Sequence, residues 1–98
     1  MTVAAGHYSH AEGVYNIAKS ESSHVEGIYN IAEGLRSHAE GLRTIASGAQ
    51  SHTEGRRTAT YGNAAHAEGI LTMASGNAAH AEGGGGHYIY LTGNNSIY

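Results

Sequence analysis

Six histidines recur at one fixed interval, at His10, His24, His38, His52, His66 and His80. Each has a glutamate two positions on: Glu12, Glu26, Glu40, Glu54, Glu68 and Glu82. Imidazole beside carboxylate is a chemically capable pair. It can pass a proton as general acid and base, ligate a transition metal jointly, or close a hydrogen-bonded ladder. Repetition weighs against the first. Acid–base catalysis needs a cleft that brings a nucleophile or water to one pair, and identical pairs in a row define no unique cleft. No Ser/His/Asp order, phosphate-binding loop or dinucleotide fingerprint accompanies them, so an enzyme is not expected. For a metal, His24, His38, His52 and His66 are the candidate ligands, since imidazoles stacked in neighbouring units could converge on an ion. Recurrence in every unit still reads as architecture rather than a site, and no cofactor is expected. The ladder is the preferred reading. His and Glu two apart on a strand point the same way, about 6–7 Å apart, and imidazole N–H groups can donate to carboxylates of neighbouring coils or chains.

The rest of the unit says which elements must hold this array. A glycine closes each H-x-E triplet, at Gly13, Gly27, Gly41, Gly55, Gly69 and Gly83, and residues 37–50 spell a full unit, S-H-A-E-G-L-R-T-I-A-S-G-A-Q. It divides into two similar sevens, each with Ala third and Gly fifth. A seven-residue period suggests a coiled coil, but each of those glycines costs a helix about 1 kcal/mol relative to Ala. Five-residue strands joined by two-residue turns fit better, with Gly ending each strand where positive φ is useful. Two strands per turn make a flattened coil, and successive coils pair in parallel about 4.8 Å apart. Alternation then sends the small third residue of each half inward. One outer face carries the His and Glu columns; the other carries Val3, Ile17, Ile31, Ile45, Ala59 and Met73. The expected fold is all-β, a parallel β-roll (solenoid) of 14-residue coils over residues 1–83.

At 98 residues the chain can form one domain at most, and it contains no Phe, Trp, Pro or Cys. An interior lined by Ala buries too little apolar area to offset a chain entropy of about 1–2 kcal/mol per residue. A closed homo-oligomer covering one outer face is the expected remedy, with two or three copies. Charged residues are 13% of the chain and the repeat is strict, which argues against disorder. Five Lys/Arg, not gathered in a tract, make no nucleic-acid footprint. No apolar run reaches membrane-spanning length and no signal peptide is read at Met1-Thr2-Val3, so membrane insertion is not expected. Residues 84–98 break the pattern. A glycine run there hands over to His87-Tyr88-Ile89-Tyr90-Leu91-Thr92, expected as one capping strand before a turn at Gly93-Asn94-Asn95-Ser96.

The unit S-H-A-E-G followed by T-I-A-S-G resembles the head repeats of trimeric autotransporter adhesins, whose pattern is S-V-A-I-G with a more polar second half. It is also similar to S-H-A-E-G repeat segments of phage tail-fibre and bacterial surface proteins. The likeness runs from Thr2 to about Gly83. It implies a left-handed roll, a homotrimer of chains side by side, and an extracellular rod or knob on a cell surface or virion appendage. His and Glu stand where the adhesin pattern has Val and Ile. If those positions face the trimer axis, the His and Glu columns lie there too.

Two function classes follow. The first is an adhesive segment of an extracellular fibre or adhesin head, binding a surface, receptor or glycan. Tyr15, Tyr29, Arg36, Arg43, Arg57 and Tyr61 near the turns, or the C-terminal Tyr strand, would make the contact, since Tyr and Arg are enriched at recognition hot spots. The alternative is a self-assembling filament subunit or structural spacer, because open β ends can pair end to end. A metal-binding His ladder is the minor third reading.

Overall fold

The computed structural model describes residues 1–84 and, beyond them, the backbone of Ile89–Leu91 and Ser96–Ile97. The chain is an all-β parallel solenoid of about six turns. Odd-numbered strands are β1 (Val3–Ala4), β3 (Ile17–Ala18), β5 (Ile31–Ala32), β7 (Ile45–Ala46), β9 (Ala59–Thr60), β11 (Thr72–Ala74) and β13 (Ile89–Leu91). Even-numbered strands are β2 (His10–Val14), β4 (His24–Ile28), β6 (His38–Leu42), β8 (His52–Thr53), β10 (His66–Ala67), β12 (His80–Ala81) and β14 (Ser96–Ile97). The two sets form two seven-stranded sheets, in the orders β1-β3-β5-β7-β9-β11-β13 and β14-β12-β10-β8-β6-β4-β2. Principal extents of 32 × 23 × 11 Å make a thin slab.

Register follows the repeat. Val3 pairs with Ile17, His24 with His38 and His66 with His80, each partner one repeat unit further along. Only the last coil differs. Thr72 pairs with Ile89 and His80 with Ser96, both more than one unit further along, so the coil containing the glycine run is longer. The strand expected in the Tyr/Ile/Leu stretch is present at Ile89–Leu91, and a second short strand follows it at Ser96–Ile97. Ile89–Leu91 extends one sheet, and Ser96–Ile97, whose first residue was expected in the turn, extends the other. The remaining residues of the expected hand-over and cap, 85–88, 92–95 and 98, lie outside the described residues.

The third-position residues point inward as alternation requires. Ala18, Val25, Ala32, Ala39, Ala46, Ala67, Ala74 and Ala81 are fully buried, and Val25 is the bulkiest fully buried side chain. Thr53 and Thr60 occupy the same columns and are also fully buried. The first residue of each half points inward as well. Ser23, Ser37 and Ser51 donate their hydroxyls to the carbonyls of Ser20, Gly34 and Gly48 at 2.6–2.7 Å. These three hydroxyls are tolerated because they close on backbone, whereas Thr53 Oγ1 and Thr60 Oγ1 are buried without a hydrogen-bond partner among the described residues.

The turns depart from the expectation in two ways. Positive φ at the fifth residue holds only in the His half, where Gly41, for example, has φ 111°. Gly48, in the other half, is required for a different reason: a Cβ there would lie 1.9 Å from the Gly62 carbonyl oxygen of the next coil. The left-handed residue common to both halves is the seventh, and it is never glycine among the described residues. Tyr8, Tyr15, Ser22, Tyr29, Arg36, Arg43, Gln50, Arg57, Ala64, Leu71 and Ala78 all have φ of 55–60°. Strands are also shorter than five residues except β2, β4 and β6. In the second half the ladder stops early because one carbonyl takes two successive donors. Ala46 O accepts from Glu33 N at 2.7 Å and Gly34 N at 3.1 Å.

Candidate functional site

Every even-numbered strand from β2 to β12 begins with a ladder histidine, and parallel pairing in register stacks the imidazoles into one column. Ring centroids are 4.7, 4.5, 4.6, 4.9 and 4.9 Å apart from His10 through His80. The strand spacing sets this distance. Two positions on, the glutamates form a parallel column on the same face. Each imidazole Nε2 meets the carboxylate of its own coil: His10 with Glu12 at 3.7 Å, His24 with Glu26 at 3.6 Å, His38 with Glu40 at 3.8 Å and His80 with Glu82 at 3.5 Å. In the middle of the stack the contact also reaches across coils. His52 lies 3.8 Å from Glu54 and 3.7 Å from Glu40; His66 lies 3.9 Å from Glu68 and 4.0 Å from Glu54.

From His10 to His66 these separations, 3.6–4.0 Å, exceed hydrogen-bonding distance. The expected hydrogen-bonded ladder is therefore, within one chain, a ladder of electrostatic contacts. The cause is geometric: side chains two apart on a strand stand parallel and do not converge. The column is half-buried. Side-chain exposure is 55% at His10 on the end coil and 33% at His66 and His80.

Titration follows from this packing. Burial holds His38, His52 and His66 below the ordinary imidazole range, reinforced by the imidazole of the preceding coil and opposed by nearby glutamates. Neighbouring carboxyls along the column shift one another in opposite directions. Glu26 and Glu68 are held low by hydrogen bonding from the Glu on either side, Glu40 and Glu12 for the first, Glu82 and Glu54 for the second. Glu54 is pushed up by its hydrogen bonds to Glu68 and Glu40, and Glu82 by that to Glu68.

An inward-pointing, fully buried column of Asn and Thr fixes the glutamate end of each coil. Asn30 Nδ2 donates to Glu26 O at 2.7 Å and to Gly41 O at 2.8 Å. Its Oδ1 accepts from Thr44 N at 2.8 Å and Thr44 Oγ1 at 2.9 Å. Thr58 and Thr72 continue the column, donating to Glu54 O and Glu68 O, both at 3.1 Å. The signal was available as Asn16, Asn30, Thr44, Thr58 and Thr72 at one position of the repeat.

The turn glycines Gly13, Gly27, Gly41, Gly55, Gly69 and Gly83 sit where the sequence put them, beside the glutamates with φ of 105–120°. The candidate recognition residues are exposed. Tyr15 and Tyr29 stack at 5.1 Å, with the Arg43 guanidinium 5.7 Å from the Tyr29 ring centroid. Arg36 and Arg57 stand on exposed left-handed turns, and Tyr61 belongs to the opposite face. The metal candidates His24, His38, His52 and His66 fall within the same column, flanked by carboxylates. No pocket opens among the described residues. No family model matches this chain, and no curated protein or solved structure matches it.

Proposed function

We propose that this chain is a structural and adhesive segment of an extracellular trimeric fibre or adhesin head, on a cell surface or virion appendage. Its coils would be left-handed and its copies would stand side by side, with the His and Glu columns at their common face. The observation that carries this reading is the interior. It is filled by Ala, Ser, Thr, Asn and a single fully buried Val, so a lone coil stack gains little hydrophobic stabilisation. Covering an outer face with another copy supplies the missing burial, and a polar column on that face can fix register and partner number. The exposed turn column, with Tyr15, Tyr29 and Arg43, is left outward to contact a surface, receptor or glycan.

The test is mass in solution. Light scattering on the 10.1 kDa chain should give a discrete species of three chains at all concentrations above the assembly threshold. A monomer with full β structure would overturn the reading.

One observation favours a second reading, a filament subunit or structural spacer. Among the described residues β1 and β2 each pair on one side only, and both lie at the same end of the stack, where a further strand could add. Mass that grows without limit as concentration rises would select this reading over the closed trimer.

A further inference from the structure

Four groups on the ladder each bring two imidazoles and one carboxylate together. They are His10/Glu12/His24, His24/Glu26/His38, His38/Glu40/His52 and His66/Glu68/His80, and in each the three ligand atoms all lie within 4.8 Å of one another. We propose that alternate rungs of this ladder are divalent transition-metal sites, taking Zn²⁺, Ni²⁺ or Cu²⁺ through two imidazole nitrogens and one carboxylate oxygen.

Three observations carry the proposal. The donor set is the first: neutral imidazole with one carboxylate suits these ions, and a three-ligand site leaves a position for water. Distance is the second. Bonds of about 2.0–2.2 Å at a tetrahedral centre place an imidazole nitrogen and a carboxylate oxygen about 3.4 Å apart. The pairs within each rung stand at 3.6–3.9 Å in His24/Glu26, His38/Glu40 and His66/Glu68, so small side-chain rotations close them on an ion. The second imidazole, stacked 4.5–4.9 Å away, must tilt toward the same point. The third is the state of the nitrogens. The Nε2 atoms of His24, His38, His52 and His66 are shielded from solvent and have no hydrogen-bond partner among the described residues. A buried polar atom without a partner is costly, and a metal bond would satisfy it.

Sharing limits the stoichiometry. His24 belongs to two groups and so does His38, and one nitrogen serves one ion. The groups that share no residue are His10/Glu12/His24, His38/Glu40/His52 and His66/Glu68/His80. Three ions per chain is therefore the saturating number, on every second rung, which also keeps the cations apart. The inference stands on contacts within one chain and does not depend on the trimer.

The test uses the full chain without a histidine tag, stripped with chelator and titrated with Zn²⁺ or Co²⁺ salts. Native mass spectrometry should count three ions per chain at saturation, and Co²⁺ should give the visible absorption of a four-coordinate centre. The double variant Glu40→Gln with His52→Gln should lose one ion, saturating at two, with its β circular dichroism retained. Glu33→Gln, on the opposite face, serves as a folded control and should still bind three. Failure to bind, saturation at any number other than three, or an unchanged count in the double variant overturns the proposal.

Discussion

The imidazole of His52 lies as close to Glu40, on the preceding coil, as to Glu54 on its own coil: 3.7 Å against 3.8 Å. This cross-coil contact makes the ladder a two-dimensional lattice rather than six independent pairs. Each interior histidine feels burial, nearby carboxylates and the imidazole above or below it. Protonating any one of them changes the field at the next.

Acid should therefore destabilise the fold through the histidines. His38, His52 and His66 have folded pKa values below the ordinary one of about 6.5, because burial and the neighbouring imidazoles disfavour their charge. As pH falls through 6.5 the unfolded chain binds protons that the folded chain refuses. Stability is complete above that range and lost as pH drops toward the folded values. Glu26, Glu54 and Glu68 oppose the shift and soften the loss, while His24 and His80 at either side add to it; Glu40 also faces His52, at 3.7 Å. Melting temperature measured in chelator should fall from pH 7.5 to pH 5.5. A flat or rising profile over that window would contradict the assignment.

Gly48→Ala should be severely destabilising although its backbone φ is ordinary. The added methyl would sit 1.9 Å from the Gly62 carbonyl oxygen, a backbone atom that cannot move without parting two coils. A cost of about 3 kcal/mol or more is expected. Urea denaturation of this variant beside Ala49→Ser, a neutral neighbour, measures it.

Asn30 ties its own coil to the next through its side-chain amide, so its replacement should depend on what remains in the column. Asn30→Ala leaves the Glu26 and Gly41 carbonyls and the Thr44 N–H without their partner, an expected loss of about 3 kcal/mol. Asn30→Thr should cost about 1 kcal/mol, because Thr58 at the equivalent position donates to Glu54 O. Equal losses in the two variants would show that the amide acts only by filling space.

Ala64 holds φ at 58° on an exposed turn with no side chain to reward the strain. Left-handed geometry costs an ordinary residue about 1–2 kcal/mol, and Asn accepts it more readily. Ala64→Asn should raise stability by about 0.5–1 kcal/mol, read as a higher urea midpoint. A lower midpoint would mean that the turn is not strained.

Much of the fold was legible because the repeat has no insertions through His80. Identical units at one fixed spacing can satisfy their backbones only by pairing with their own copies in register, so His must stand over His and Glu over Glu. The small third residue likewise announced an interior too narrow for bulk. The turns were less legible. Glycine at the fifth place of both halves looked like one solution to one problem, yet Gly41 serves a positive φ and Gly48 serves a close approach between coils. The left-handed residue that both turns share is Tyr, Ser, Arg, Gln, Ala or Leu, and apart from Ser22 none is a type that signals a turn. At the C-terminal end the Tyr/Ile/Leu run announced the strand at Ile89–Leu91, whereas Ser96–Ile97 carries no repeat signal and its pairing to His80 spans more than one unit.

Sequence alone thus determined the period, the parallel register, the inward Ala columns and the face shared by His and Glu. All of these depend on alternation and repetition, which are properties of the chain itself. Tertiary structure decided whether neighbouring His and Glu touch, hydrogen-bond or stand a metal's width apart. It also decided why each glycine is needed and which residues bear the turns. Those are matters of separation between coils, set by how closely Ala-lined sheets and their carbonyls approach.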